Sequence, residues 1–125
     1  MQDYIKYLLI SVLGILAPIK GILIGVGVLV FFDMITAIYA AKKTGDDITS
    51  RKLSKTIGKL VLYNIAVLTG FIFEKLLGDF IPVIKIISSV LIMTELFSIF
   101  ENFYKATGIN IIQKLKEAFK REDKD

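Results

Sequence analysis

Residues 21–41 read GILIGVGVLVFFDMITAIYAA, twenty-one positions with a single charge, Asp33, and residues 42–55 turn at once to KKTGDDITSRKLSK. A helix rising about 1.5 Å per residue needs roughly 20 apolar residues to cross a hydrocarbon core about 30 Å thick. This stretch, segment B, has that length. Some dozen large aliphatic and aromatic residues each favour insertion by about 0.3 to 0.6 kcal/mol, against about 2.5 to 3.5 kcal/mol for an Asp near the centre. Insertion wins, and Asp33 has to be held by something other than lipid.

Outward from segment B the charges are segregated. Of 28 charged residues (16 basic and 12 acidic), eight fall between Lys42 and Lys59 and eleven between Glu101 and Asp125, while Tyr7 to Ala41 holds only Lys20 and Asp33. A soluble amphipathic helix would bring a charge to its wet face every turn, so apolar blocks separated by charged ones are a membrane pattern. The 54% hydrophobic content of the 125 residues agrees, and a single composition regime indicates one membrane domain over 1–125. With no Cys and no His, disulfides, the commonest metal ligands and the usual general base are absent from the sequence. No phosphate-cradling loop or nucleophile–base pair is visible, and Gly25-Val26-Gly27 falls inside an apolar run. The expectation is a non-enzyme with no catalytic residue, no metal and no cofactor. The net charge of +4 sits beside hydrophobic spans without aromatic-interleaved basic patches, which argues against nucleic acid as a partner and for membrane lipid.

Segment A, 4–17, supplies roughly 20 Å of apolar helix, short for a full span. Pro18 and Lys20, flanked by Gly14 and Gly21, predict a break or tight turn. Segment A thus either crosses a thinned bilayer or lies in the interface; Ala17-Pro18-Ile19 is a poor signal-peptidase site, so the segment is read as part of the mature chain. The basic loop, 42–54, has a turn at Thr44-Gly45-Asp46-Asp47 and an N-cap at Thr49-Ser50 for a helix starting near Arg51. Segment C occupies 55–77. Gly78 stops it, and Pro82 opens segment D, 82–103, as its first residue. In the tail, 107–125, Ile111, Ile112, Leu115 and Phe119 recur at helical spacing opposite charges, the pattern of an amphipathic helix on a membrane surface or paired with its own copy. The expected fold is therefore all-α: an integral membrane protein with three to four transmembrane helices and an amphipathic C-terminal helix.

Basic residues concentrate in the B–C loop (Lys42, Lys43, Arg51, Lys52, Lys55 and Lys59) and in the tail, which places both, and the C-terminus, in the cytoplasm. Four spans would put the N-terminus inside, three outside.

Ala17, Gly21, Gly25, Asp33, Ala37 and Ala41 recur at multiples of four, interrupted by Leu29, and Gly21 and Gly25 form a GxxxG that allows close backbone approach. Such a row packs helices within one subunit or between subunits. On segment D, Ser88, Glu95, Ser98, Asn102 and Lys105 form one helical stripe, which faces either a lumen shared by several subunits or partners inside one bundle. Asp33 and Glu95 each lie eight residues from the basic end of their segments, at matched depth, with Lys59 and Asn64 as candidate partners.

These residues carry a resemblance. FFDMITAIYAAKKTGDDITSRKLSKTIGKL (31–60) resembles the Asp-x-x-Thr-Gly segment, basic loop and Ser-Arg/Lys-Lys helix start of the phage holin family of the toxin-secretion and phage-lysis type. ELFSIFENFYKATGINI (95–111) is similar to that family's second block through Glu95, Leu96, Ser98, Ile99, Glu101, Asn102 and Gly108. Ala37 departs from it, standing where the family usually has glycine but keeping a small residue. The resemblance implies a protein that oligomerises in the bacterial inner membrane and forms lesions, with an endolysin as functional partner that it need not touch. It also implies structural importance for Asp33, Thr36, Glu95, Ser98, Glu101 and Asn102. The competing reading is a small membrane scaffold or channel subunit that binds a partner through its basic loop and tail.

Overall fold

The computed structural model describes residues 1–124. Its elements are α1 (Gln2–Leu16), a 3-10 turn (Ala17–Ile19), α2 (Lys20–Thr44), α3 (Ser50–Leu77), α4 (Val83–Thr107) and α5 (Ile111–Glu122), with no strand among the described residues. The chain is an all-α membrane protein. Three helical stretches are long and apolar enough to cross a bilayer: Gln2–Thr44, Ser50–Leu77 and Val83–Thr107.

Helices α2, α3 and α4 form a bundle in which α2 packs most extensively on α4. Gly27 faces Leu60, and Ile19 shares a core with Val67 and Phe71, so α3 runs antiparallel to α2. Gly70 faces Val83, Ile84 and Ile87, which makes α4 antiparallel to α3 and parallel to α2. The buried positions of α2 and its entry turn, Ile19, Val26, Val30, Ala40 and Ala41, follow a spacing near three and four that keeps one face inward. Phe31, Phe32, Ile65, Ile72 and Val90 stay at least half exposed, a surface that would drive aggregation in water and that suits contact with lipid.

Among the glycines, Gly70 lies nearest a neighbouring helix: an added Cβ would lie 3.1 Å from Ile87 Cδ1 and 3.6 Å from the Ile84 backbone. Gly58, by contrast, faces open space. Gly70→Leu is expected to lower the unfolding free energy in detergent by about 1 to 3 kcal/mol through overpacking, with Gly58→Leu changing it by less. Circular dichroism during denaturant titration checks the difference.

The helix ends explain where sequence-based boundaries shift. The basic loop shrinks to residues 45–49: Lys42 and Lys43 continue α2, and Arg51 and Lys52 sit in the first turn of α3. Charge ends an apolar span without ending a helix. What ends α2 is Gly45, at φ +78° with its amide bonded to the Ala41 carbonyl, and what starts α3 is Thr49, whose hydroxyl accepts the Lys52 amide. Gly78, at φ +91°, closes α3, while Pro82 is the residue before α4 instead of its first. Segment D extends past residue 103 to Thr107, where Gly108 at φ +74° stops it. Asn110 caps α5 by accepting the Gln113 amide. Leu115 and Phe119, on the apolar face of α5, are uncovered.

Pro18 sits in the 3-10 turn, whose flanking residues keep right-handed helical dihedrals, so the chain continues from α1 into α2 without the tight reversal that a fourth antiparallel span would need. Consistent with that, α1 buries no residue fully, and only Leu16 packs partly against the core.

Candidate functional site

In the half of the bundle nearer the 45–49 loop, a polar cluster joins α2, α3 and α4. Each helix contributes because its inward stripe carries a polar residue at the same depth. Asp33 comes from α2, Lys59 and Tyr63, one turn apart, from α3, and Glu95, Ser98 and Asn102 from α4. Lys59 Nζ lies 2.8 Å from Asp33 Oδ2 and 3.2 Å from Glu95 Oε1, so one ammonium bridges two carboxyl groups. The other Asp33 oxygen accepts from Ser98 Oγ at 2.6 Å and from Asn102 Nδ2 at 2.9 Å. Tyr63 donates its hydroxyl to Glu95 Oε1 at 2.8 Å. Asn102 also reaches the Asp33 carbonyl and Thr36 Oγ1, and Thr36 itself donates to the Phe32 carbonyl.

Glu95 is 0% exposed, the most deeply buried charge-bearing residue of the bundle. A carboxylate so placed needs paired charge and hydrogen bonds, because desolvation of an unpartnered ion is very unfavourable. The cluster supplies both. It is a three-helix polar tie in an apolar surrounding: strong while the helices stay together, and a set of water-seeking groups once they part.

The structure thus brings Asp33, Thr36, Glu95, Ser98 and Asn102 together. Ala37 lies half-buried one turn beyond Asp33. Gly21 and Gly25 are not part of this face; both are exposed, with nothing within 4 Å of an added Cβ. At about 100° per residue, a row at every fourth position drifts about 40° per step around the helix, so Gly21 stands roughly 120° from Asp33. The α4 stripe is satisfied inside one subunit at Glu95, Ser98 and Asn102. Ser88 is buried with its hydroxyl unbonded, and Glu101 points outward to an exposed pair with Lys105 at 3.2 Å.

Of the basic-loop set, Lys42, Lys43, Arg51, Lys52 and Lys55 are exposed, and Lys43 lies 5.8 Å from the Tyr39 ring centroid. Lys59 belongs to the interior cluster. Asn64, the other candidate partner, bonds the Leu60 carbonyl and neither acid. Tyr63 was not singled out by sequence reasoning, although its position four residues after Lys59 puts it on the same face one turn deeper.

No curated protein and no solved structure matches the chain. A sequence model described as the bacteriophage holin family matches residues 10–123, a span that takes in all six residues of the cluster. On that match, which spans nearly all of the three membrane-capable stretches, the chain belongs to the bacteriophage holin family.

Proposed function

We propose that the protein acts in phage lysis: copies accumulate in the bacterial inner membrane, associate, and form lesions through which an endolysin reaches the cell wall. The observation that carries this reading is the cluster of Asp33, Lys59, Tyr63, Glu95, Ser98 and Asn102, half-buried between three largely apolar helices with Glu95 fully buried at its centre. A polar tie that one subunit satisfies internally keeps the closed state impermeable. When neighbouring subunits separate the helices, the same groups line the water-filled side of the lesion. Opening exchanges internal hydrogen bonds for hydration, so the two states lie close enough in free energy for assembly to switch them.

In this arrangement the helices cross three times. The basic ends, the 45–49 loop and the C-terminus face the cytoplasm, which puts α1 at the outer face, and α5 lies along the membrane surface on Leu115 and Phe119. Gly21 and Gly25, open in the single chain, form the contact between subunits, since lipid gives no hydrophobic drive and close backbone approach supplies the association. The protein performs no catalysis in this reading; the endolysin does the covalent chemistry.

Co-expression with an endolysin tests it. Induction of this chain together with the lysin is expected to arrest growth and release cytoplasmic protein, and the Gly21→Leu/Gly25→Leu variant is expected to insert equally but lyse late or not at all. A scaffold would be tolerated, and a channel of fixed stoichiometry would pass ions without releasing protein; either outcome contradicts the proposal.

A further inference from the structure

We propose that the cavity at the basic end of the bundle binds the phosphate head group of an anionic phospholipid. It encloses about 320 Å³ between the end of α2, the start of α3 and the end of α4. Four lysines line it, Lys52, Lys55, Lys59 and Lys105, against two acids, Asp33 and Asp46. Of the acids, only Asp33 is paired with an ammonium. Asp33 accepts from Lys59, Ser98 and Asn102, and Asp46 Oδ2 accepts from Thr44 Oγ1 at 3.0 Å.

Two of the lysines are differently placed. Lys52 Nζ donates to the Asp47 carbonyl at 3.0 Å and to no carboxylate, and Lys55 has no acidic partner among the described residues. Neither ammonium is paired with a carboxylate, and Asp46 is the one acid left facing them, so positive charge is in excess at a cavity lined by Met34, Ile38, Ile48 and Leu53 on one side and by Thr44, Thr56, Ser98 and Asn102 on the other. Ammonium groups above an apolar wall, at the end of membrane-capable helices, match a phosphodiester whose acyl chains continue into the bilayer. Inorganic phosphate shares the head-group chemistry but leaves the apolar wall uncovered, which favours the lipid.

The full-length protein in detergent micelles is titrated with short-chain phosphatidylglycerol or phosphatidylcholine, and bound lipid is counted by native mass spectrometry. Phosphatidylglycerol is expected to bind at least about tenfold more tightly. Lys52→Gln/Lys55→Gln should abolish that preference, and so should Thr56→Trp, which fills the cavity with every lysine in place. Lys116→Gln/Lys120→Gln, which removes the same charge from α5, should keep it. A preference that survives both cavity variants, or is lost equally in the α5 variant, overturns the site. Displacement of the lipid by inorganic phosphate at matched concentration overturns the lipid as its ligand and assigns the cavity to a soluble phosphate.

Discussion

Replacing Lys59 by Met is expected to destabilise the bundle by about 3 to 5 kcal/mol, the range for removing one partner from a buried ion pair. The loss should be at the upper end because Lys59 serves two carboxyl groups, at 2.8 Å and 3.2 Å, and neither Ser98 nor Tyr63 supplies a positive charge in its place. Denaturant titration in detergent, followed by circular dichroism, reads the effect. Neutralising the acids as well, in Lys59→Met/Asp33→Asn/Glu95→Gln, should recover most of the stability, since the penalty arises from unpaired charge and not from lost packing. A single variant as stable as the parent would show that the contact contributes nothing to holding the helices.

Glu95→Leu should act on lysis more than on folding. Asp33 keeps Lys59, Ser98 and Asn102 in this variant, so the α2–α3 and α2–α4 ties persist. An apolar side chain also suits a fully buried site. What disappears is the direct α3–α4 polar contact and the most buried group that would seek water on opening. Membrane insertion is therefore expected to be normal, with lysis abolished or mistimed, as read by culture turbidity and membrane fractionation. Glu95→Gln, which still accepts the Tyr63 hydroxyl, should fall between the two. Parental lysis timing in Glu95→Leu contradicts a switching role for the cluster.

The main lines of this fold were legible because membrane physics writes them coarsely. Apolar runs of span length and blocks of lysine mark the three long helices; Gly45, Gly78 and Gly108 mark their ends through positive-φ backbone that few other residues supply, and Thr49 marks a start through its capping hydroxyl. The matched depth of Asp33 and Glu95 is also readable, with Lys59 and Asn64 as candidate partners; which of the two bridges the acids, and within one subunit, is not. Other features depend on rotation about a helix axis, which a uniformly apolar sequence does not record. Gly21 and Gly25 share a four-residue spacing with Asp33 yet turn away from it, and Gly70, inside an unremarkable apolar run, is the glycine packed most closely on a neighbouring helix. Nothing in the sequence marks Tyr63, because a tyrosine in a span is equally at home facing lipid near the interface. The break at Pro18 is legible in the sequence, but whether it turns the chain back is not, and the 3-10 turn there makes no reversal.

The central claim is that helices held together by this cluster separate when lesions form. The chain contains no cysteine, so a single introduced thiol reports alone. Ser88→Cys is nearly isosteric, sits at 5% exposure in the bundle interior, and gives up no hydrogen bond, because the Ser88 hydroxyl makes none. In induced cells a membrane-impermeant maleimide should leave this cysteine unlabelled until lysis begins and label it rapidly thereafter. Equal labelling before and after onset, or continued protection in cells that have lysed, contradicts opening by helix separation.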